Sequence, residues 1–293
     1  MEKKKKKGNP VMTIVILIAL CTFGFSAYKL GSYLLDSRKT QQAVEELAEA
    51  GVSEEKAEAN YEVIREKMDP ITGKTVREKS LLTVELPFTV DFTALKEKNK
   101  DITGWLYCAD TRINYPVMHC ANNDEYLHHR PDGTWASGGS LFIDSLYTPD
   151  LSAFNTVIYG HNMKDGSMFG TLKEFRREDF YKKHPVLYYF SPYGNYMLEV
   201  VGAYNTNLDS YIYAGLQSDV AKEQFLFDIK ALSEYESPVE YGRKDRYVTL
   251  STCTYEEKNA RYIVICRLQE INVTSEGEVI SKSTTPPYRG RSL

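Results

Sequence analysis

The stretch Thr249-Leu250-Ser251-Thr252-Cys253, with Arg261 eight residues beyond it, holds the side chains of a cysteine acyl-transfer site. Its third member is His161, far upstream in Val157-Ile158-Tyr159-Gly160-His161-Asn162-Met163. Acyl transfer needs a thiolate to attack a carbonyl, a proton donor for the departing amine, and positive charge or N–H donors for the oxyanion. Cys253 is the candidate nucleophile, His161 the general acid and base, and Arg261 the group that stabilises the oxyanion or positions the substrate. An imidazole titrates near neutrality, so it can protonate one amine and deprotonate the next. A guanidinium keeps its charge throughout. The N–H after the nucleophile, at Thr254, is a further candidate oxyanion donor.

Each of these has a plainer alternative. A free cysteine is most often a buried structural thiol. His161 follows a glycine and can serve as a loop hydrogen-bonder, and Arg261 has Glu256 and Glu257 close by for an ordinary salt bridge. Arg267, six residues further along the same expected strand, shares a face with Arg261 and is the competing arginine. His119, His128, His129 and His184 sit in no comparable motif, and His128 and His129, being adjacent, point in different directions.

The elements that must converge on these residues are mostly short strands. The apolar run at 247–250 leads into Cys253 and sets it at a strand end, where a side chain can face a cleft. From about Thr83 onward, runs rich in Val, Ile, Tyr and Phe recur at 104–107, 113–117, 140–143, 156–159, 187–190, 196–203 and 261–268. Residues 104–107 and 113–117 read as a hairpin, with Pro116 marking an edge strand or its end. Helices are expected at 168–181 and at 218–234, the latter with Ala221, Phe225, Ile229 and Leu232 on one face. Strands this short and numerous imply a mainly β fold, a closed barrel of about eight strands with inserted helices.

Upstream, residues 36–68 are dense in Glu, Lys, Ala and Gln and read as one or two amphipathic helices. These break at Gly51-Val52-Ser53 and stop at Asp69-Pro70. The implied organisation is a basic tail at 1–10, an anchor at 11–35, a helical juxtamembrane segment at 36–79, the barrel at 80–272 and a polar tail at 273–293.

Location is written in the first thirty residues. Lys3 to Lys7 precede eighteen uncharged residues, 11–28. As helix these reach roughly 27 Å, close to the ~30 Å hydrocarbon core. The lysines should stay cytoplasmic and the bulk of the chain outside, in a single pass. A cleavable signal peptide is the competing reading, with small residues at Gly24, Ser26 and Ala27. The net charge is −4; five lysines against Glu2 give the first ten residues +4, leaving −8 for the rest. That balance argues against nucleic acid as a partner. The five cysteines form no CxxC pair and the five histidines lack zinc-ligand spacing, so no metal is expected. Cys108 and Cys120 flank the hairpin, and either a bridge or isolated thiols is open there.

Thr249-Leu250-Ser251-Thr252-Cys253 with Arg261 resembles the TLxTC…R signature of sortases, the membrane-bound transpeptidases of Gram-positive cell surfaces. Gly160-His161-Asn162-Met163 with Met168-Phe169 resembles the segment carrying the sortase histidine. Gly104-Trp105, residues 113–117, 123–127 and 139–144 look like further landmarks in the same order. The long helix before the cysteine strand and the segment between anchor and barrel resemble class B. Ile71 after Asp69-Pro70 departs from the Asp-Pro-aromatic lid of the pilin-polymerising class. The resemblance implies that Ser251 and Thr252 belong to the substrate groove. It also implies cleavage after Thr in an Asn-Pro-x-Thr or Leu-Pro-x-Thr sorting signal of a surface protein. The acyl group then passes to an amine of a peptidoglycan precursor or cross-bridge, with no cofactor. The alternatives are pilin polymerisation, a cysteine hydrolase, and a non-catalytic anchored scaffold.

Overall fold

In a computed structural model that describes residues 10–68, 75–254 and 259–273, the apolar N-terminus forms one long helix, α1 (Pro10–Gly51). The lysine run, the Asp69-Pro70 stop, Glu256, Glu257 and the polar tail from 274 lie outside the described residues. The chain separates into two compact units, residues 1–42 and 43–293. In the first, Ile14, Leu17, Phe23 and Leu34 are all exposed, and α1 is long and apolar enough to cross a membrane.

The second unit opens with the last turns of α1, whose Val44 and Leu47 join the main core. In chain order there follow β1 (Val52–Ser53), β2 (Ala57–Met68), β3 (Thr75–Leu86), β4 (Thr89–Val90), α2 (Phe92–Lys98), β5 (Ile102–Tyr107) and β6 (Asn114–Met118). Next come β7 (Leu141–Ile143), β8 (Asn155–Tyr159), a 3₁₀ turn (Leu172–Arg176), α3 (Glu178–Lys183), β9 (Val186–Ser191) and β10 (Gly194–Asn207). A second 3₁₀ turn (Tyr211–Ala214), α4 (Asp219–Leu232), β11 (Tyr247–Cys253) and β12 (Ala260–Val273) complete the described chain.

Eight of these strands close into a barrel in the order β10-β9-β5-β6-β7-β8-β11-β12, with β12 pairing back onto β10. The main core, inside the barrel and against its outer wall, holds Trp105, Tyr189, Phe190, Ile158, Leu250 and Val264, all at or near zero exposure. Burying each such side chain is worth about 1.5–3 kcal/mol. Trp105 satisfies its indole by donating to Asn114 Oδ1 at 2.7 Å.

Strand alternation turns every second residue of β11 and β12 outward. There Tyr247, Ile263 and Ile265 form a second cluster with Phe225 and Ile229 of α4. The helix is started by Ser218, whose hydroxyl accepts from the Ala221 N–H at 3.1 Å. Because both faces of β12 are covered, residues 262–266 are apolar without a break.

Three expectations need correction. Residues 57–68 are not helix but the strand β2, paired along its length with β3 and joined to β12 through Ala59 and Asn60. Ala57, Ala59, Tyr61 and Val63 carry the period of two that puts one strand face inward, while Glu58 and Glu62 between them, with the charged run 65–67, mimic helix composition. The juxtamembrane segment at 36–79 is therefore helical only to Gly51, and strands that belong with the barrel begin before residue 80. The single helix expected at 168–181 is a 3₁₀ turn and a short α3, separated at Arg177. All five cysteines are free; Cys108 and Cys266 are buried and Cys120 is half-buried.

Candidate active site

Cys253 ends β11 and Arg261 lies one residue into β12. The two are direct partners in that antiparallel ladder. Directly paired residues put their side chains on one side of the sheet. The same alternation sends Val248 and Leu250 into the barrel core and turns Ser251 and Cys253 to the outer face. Further down the strands α4 covers that face; at the Cys253 end it lies open.

β8 runs parallel to β11 with Tyr159 opposite Ser251, so the next residues, Gly160 and His161, emerge beside Cys253. The Gly160 N–H donates to the Ser251 carbonyl at 3.2 Å, and the Thr252 hydroxyl donates to the Gly160 carbonyl at 2.7 Å. Position 160 has no room for a side chain: a Cβ would come within 2.4 Å of Leu141 and 2.7 Å of Phe169. Asn162 ties the two strand ends together, its Nδ2 donating to the Cys253 carbonyl at 2.9 Å.

His161 Nε2 lies 2.9 Å from the Leu127 carbonyl oxygen. A carbonyl only accepts, so Nε2 carries a proton and Nδ1 is left as the basic nitrogen. Burial pushes the His161 imidazole below its ordinary pKa; the Leu127 hydrogen bond opposes this, and the nearby His128 and Arg261 add to it. The ring is thereby held neutral and ready to accept.

Arg261 makes no ion pair with a carboxylate among the described residues; its Nη1 donates to the adjoining Ala260 carbonyl at 3.1 Å. Arg267, the competitor, is committed elsewhere. Its Nε and Nη2 both donate to Glu199 Oε2, and its Nη1 donates to the Glu240 carbonyl at 2.9 Å. The Thr254 N–H, expected as an oxyanion donor, is instead bonded to the Ala260 carbonyl at 3.0 Å and closes the β11–β12 turn.

Cys253, His161 and Arg261 thus border one cavity of about 200 Å³, walled by Leu127, Phe142, Tyr159 and Leu208, with Asp124 at its margin. Ser251 and Thr252 also line it, though both are buried. The Ser251 hydroxyl shares a 2.8 Å hydrogen bond with Tyr213, whose ring stacks on Tyr159. A thiol, a neutral imidazole and a guanidinium with no carboxylate partner among the described residues, around an apolar-walled groove, can carry out acyl transfer on an extended peptide.

Leu127, Asn162 and Tyr213 act here without having been singled out in the sequence. Leu127 contributes a backbone carbonyl, which no residue type reveals. Asn162 follows the histidine directly, and its amide was the one available signal.

A sortase-domain profile matches residues 106–269. Sortase B of Listeria monocytogenes is 35% identical over 242 residues, covering 82% of this chain and 89% of that protein. Sortase B of Staphylococcus aureus is 30% identical over 272 residues, covering 92% of this chain and all of that protein. A crystal structure of sortase B from B. anthracis superposes with a TM-score of 0.63 at 31% identity, covering 81% of this chain and 99% of that one.

Proposed function

The chain belongs to the sortase family, as a class B member, and is a cysteine transpeptidase; from that premise we propose that Cys253, His161 and Arg261 divide the chemistry among them. The observation that carries this reading is the cross-strand pairing of Cys253 with Arg261, beside a histidine delivered by the parallel strand β8. The Cys253 thiol gives its proton to His161 Nδ1, the thiolate so formed attacks the carbonyl of threonine in a sorting signal, and the oxyanion forms against the Arg261 guanidinium. Protonated His161 gives the Nδ1 proton to the departing amine, leaving a thioester on Cys253 and releasing the C-terminal fragment. Neutral Nδ1 then takes a proton from the incoming amine as it attacks the thioester and returns it to the departing Cys253 sulfur, which restores the thiol and joins the two chains. Ser251, held by Tyr213, lies in the floor of the substrate groove. The Thr252 hydroxyl has a structural task, fixing Gly160 and so the base of His161.

The substrates in this reading are surface proteins with an Asn-Pro-x-Thr or Leu-Pro-x-Thr signal, and the acceptor is an amine of peptidoglycan or its precursor. Helix α1 anchors the enzyme in a single pass, with Lys3 to Lys7 cytoplasmic and the barrel outside. The test uses the full-length chain in detergent micelles with quenched peptides of both motifs. Mass spectrometry should find a thioester on Cys253 and ligated product with added oligopeptide amine. Hydrolysis without ligation under excess amine would sink the transpeptidation step. Ligation to a lysine side chain alone would move the acceptor to another protein, as in pilin assembly.

A further inference from the structure

The connection between β6 and β7 folds over His161 and touches it in ways its own strand does not. Besides the Leu127 carbonyl on Nε2, the ring of the next residue, His128, stacks on His161 with centroids 6.0 Å apart and planes 30° apart. His128 also stacks on Trp135, at 6.5 Å and 20°. Trp135 is 63% exposed, so three rings run from solvent to the imidazole of the active site. Separations of this size lie within the range of favourable offset stacking.

The loop that presents these rings is held from several directions. The Ala136 N–H donates to the His128 carbonyl at 2.8 Å, and His129 and Trp135 form an isolated antiparallel bridge. The Ser140 hydroxyl donates to the His129 carbonyl at 2.8 Å, and its N–H to the Tyr126 carbonyl at 2.9 Å. Gly139, at φ +50°, passes so close that a Cβ would lie 2.4 Å from the Tyr126 oxygen and 2.5 Å from that of Leu127. Backbone on both sides of His128 is therefore fixed relative to His161.

We propose that His128 is a positioning residue for the transfer reaction: braced by Trp135, its ring keeps His161 in the tautomer with Nε2–H on Leu127 and Nδ1 as the proton carrier. This rests on the reading of His161 as the acid and base. Without the stacked ring, His161 gains freedom to turn about its Cβ–Cγ bond; Nε2 then leaves the Leu127 carbonyl, which no longer holds the proton on that nitrogen, so the proton is carried on the wrong atom for part of the time. Of the titratable and charged groups around His161, His128 comes from this loop, Arg261 from β12, and Cys253 and Asp124 lie across the same cavity. His128 is also solvent-exposed. Protonating it places a positive charge against His161, which disfavours the imidazolium there.

The test compares wild type, His128→Ala, His128→Phe and Trp135→Ala as full-length chains in micelles. Imidazole nitrogen NMR reads the tautomer and titration midpoint of His161 without any substrate; kcat and KM follow on a cleaved sorting peptide. His128→Ala should give a tautomer mixture, a raised midpoint and a kcat about 10-fold lower, with KM within about 2-fold. His128→Phe, which keeps a stacked ring and removes the ring nitrogens, should retain the tautomer and restore kcat to within about 3-fold. Trp135→Ala should fall between them. A wild-type tautomer, midpoint and kcat in His128→Ala would overturn the proposal, as would His128→Phe proving as poor as His128→Ala. If no peptide forms a thioester with the wild type, the acyl-transfer reading falls, while the NMR comparison still decides whether His128 fixes His161.

Discussion

The β11–β12 ladder carries an arginine near each end, on the same face, in very different surroundings. At one end Arg267 is the direct partner of Tyr247, and its guanidinium is neutralised by Glu199 and tied to the Glu240 carbonyl. At the other end Arg261 is the direct partner of Cys253, with no carboxylate paired to it among the described residues, beside an open cavity. Residue type, strand and face are shared; only the neighbours differ. A guanidinium with its charge answered inside the protein is part of the scaffold. One whose charge is left unanswered next to a thiol is available for an anion that forms during reaction.

Exchanging the strand-end residues on β11 should separate the ends most sharply. Cys253→Ala should abolish thioester formation and transfer, a loss of at least about 10³-fold, with no change in thermal unfolding. Tyr247→Phe at the opposite end removes one hydrogen bond, from the Tyr247 hydroxyl to the Gly242 carbonyl at 2.8 Å. It should lower stability by about 1 kcal/mol and leave kcat/KM within about 2-fold. Peptide ligation and denaturant unfolding on the same two variants check both halves. Transfer by a folded Cys253→Ala chain would remove Cys253 as nucleophile.

The arginines themselves come next. Arg261→Ala should cut kcat by about 10²–10³-fold while leaving the unfolding midpoint in place. Arg267→Ala should do the reverse. It strands Glu199, whose side chain is 11% exposed against 22% for Arg267, and should cost about 2–4 kcal/mol of stability, with activity retained in the folded fraction. Arg261→Lys tests whether charge alone suffices; an ammonium lacks the planar fork, so only part of the rate should return. Equal stability losses at both arginines would end the contrast between them.

The barrel and the three site residues were legible in the sequence for a definite reason. Strands buried on one or both faces must be apolar at period two or continuously, and residues 247–250 and 261–268 are written that way. The loop that covers His161 was not legible. Its contact to Nε2 is a backbone carbonyl, and its rings, His128 and Trp135, are brought together by the turn at 130–134, where the Arg130 N–H donates to the Thr134 carbonyl at 2.7 Å. The hairpin of β2 and β3 was hidden by composition, since its many Glu, Arg and Lys residues satisfy helix propensity and a polar strand face equally. Nor could spacing alone rank Arg261 above Arg267; Glu199, which decides it, lies on β10, more than sixty residues upstream of both.

Thiol reactivity extends the comparison to cysteine. Cys266 sits next to Arg267 on β12, wholly buried, and burial raises its pKa well above the ordinary thiol value. Burial likewise pushes Cys108 up to about 12, so at pH 8 only about 10⁻⁴ of it is thiolate. Cys253 opens onto the cavity beside the Arg261 guanidinium. Timed alkylation with peptide mapping should therefore label Cys253 at least about 10²-fold faster than Cys266 or Cys108. Half-buried Cys120 provides the internal reference for access without a catalytic neighbour. A Cys253 rate no greater than that of Cys120 would show that the pairing with Arg261 does nothing for the thiol.

The smallest expected effect lies in the pH dependence of stability. Burial holds His161 below its ordinary pKa in the folded protein. Above about pH 6.5 the ring is neutral in both folded and unfolded chains and contributes no difference. As pH falls through that value the unfolded chain takes up its proton first, so the fold loses stability, and the loss stops once the folded ring is protonated too. His184 is also held low, chiefly by burial, and contributes in the same direction. His161→Asn should therefore flatten part of the decline in melting temperature between pH 7.5 and pH 5, and His161→Asn with His184→Asn should flatten more of it. The far end of the ladder offers the control: Arg267 keeps its charge across this range, so Arg267→Ala should lower the whole curve without changing its slope. An unchanged slope in His161→Asn would mean that the imidazole is as free to protonate in the fold as out of it, and that the cover over this end of the ladder does not keep it neutral.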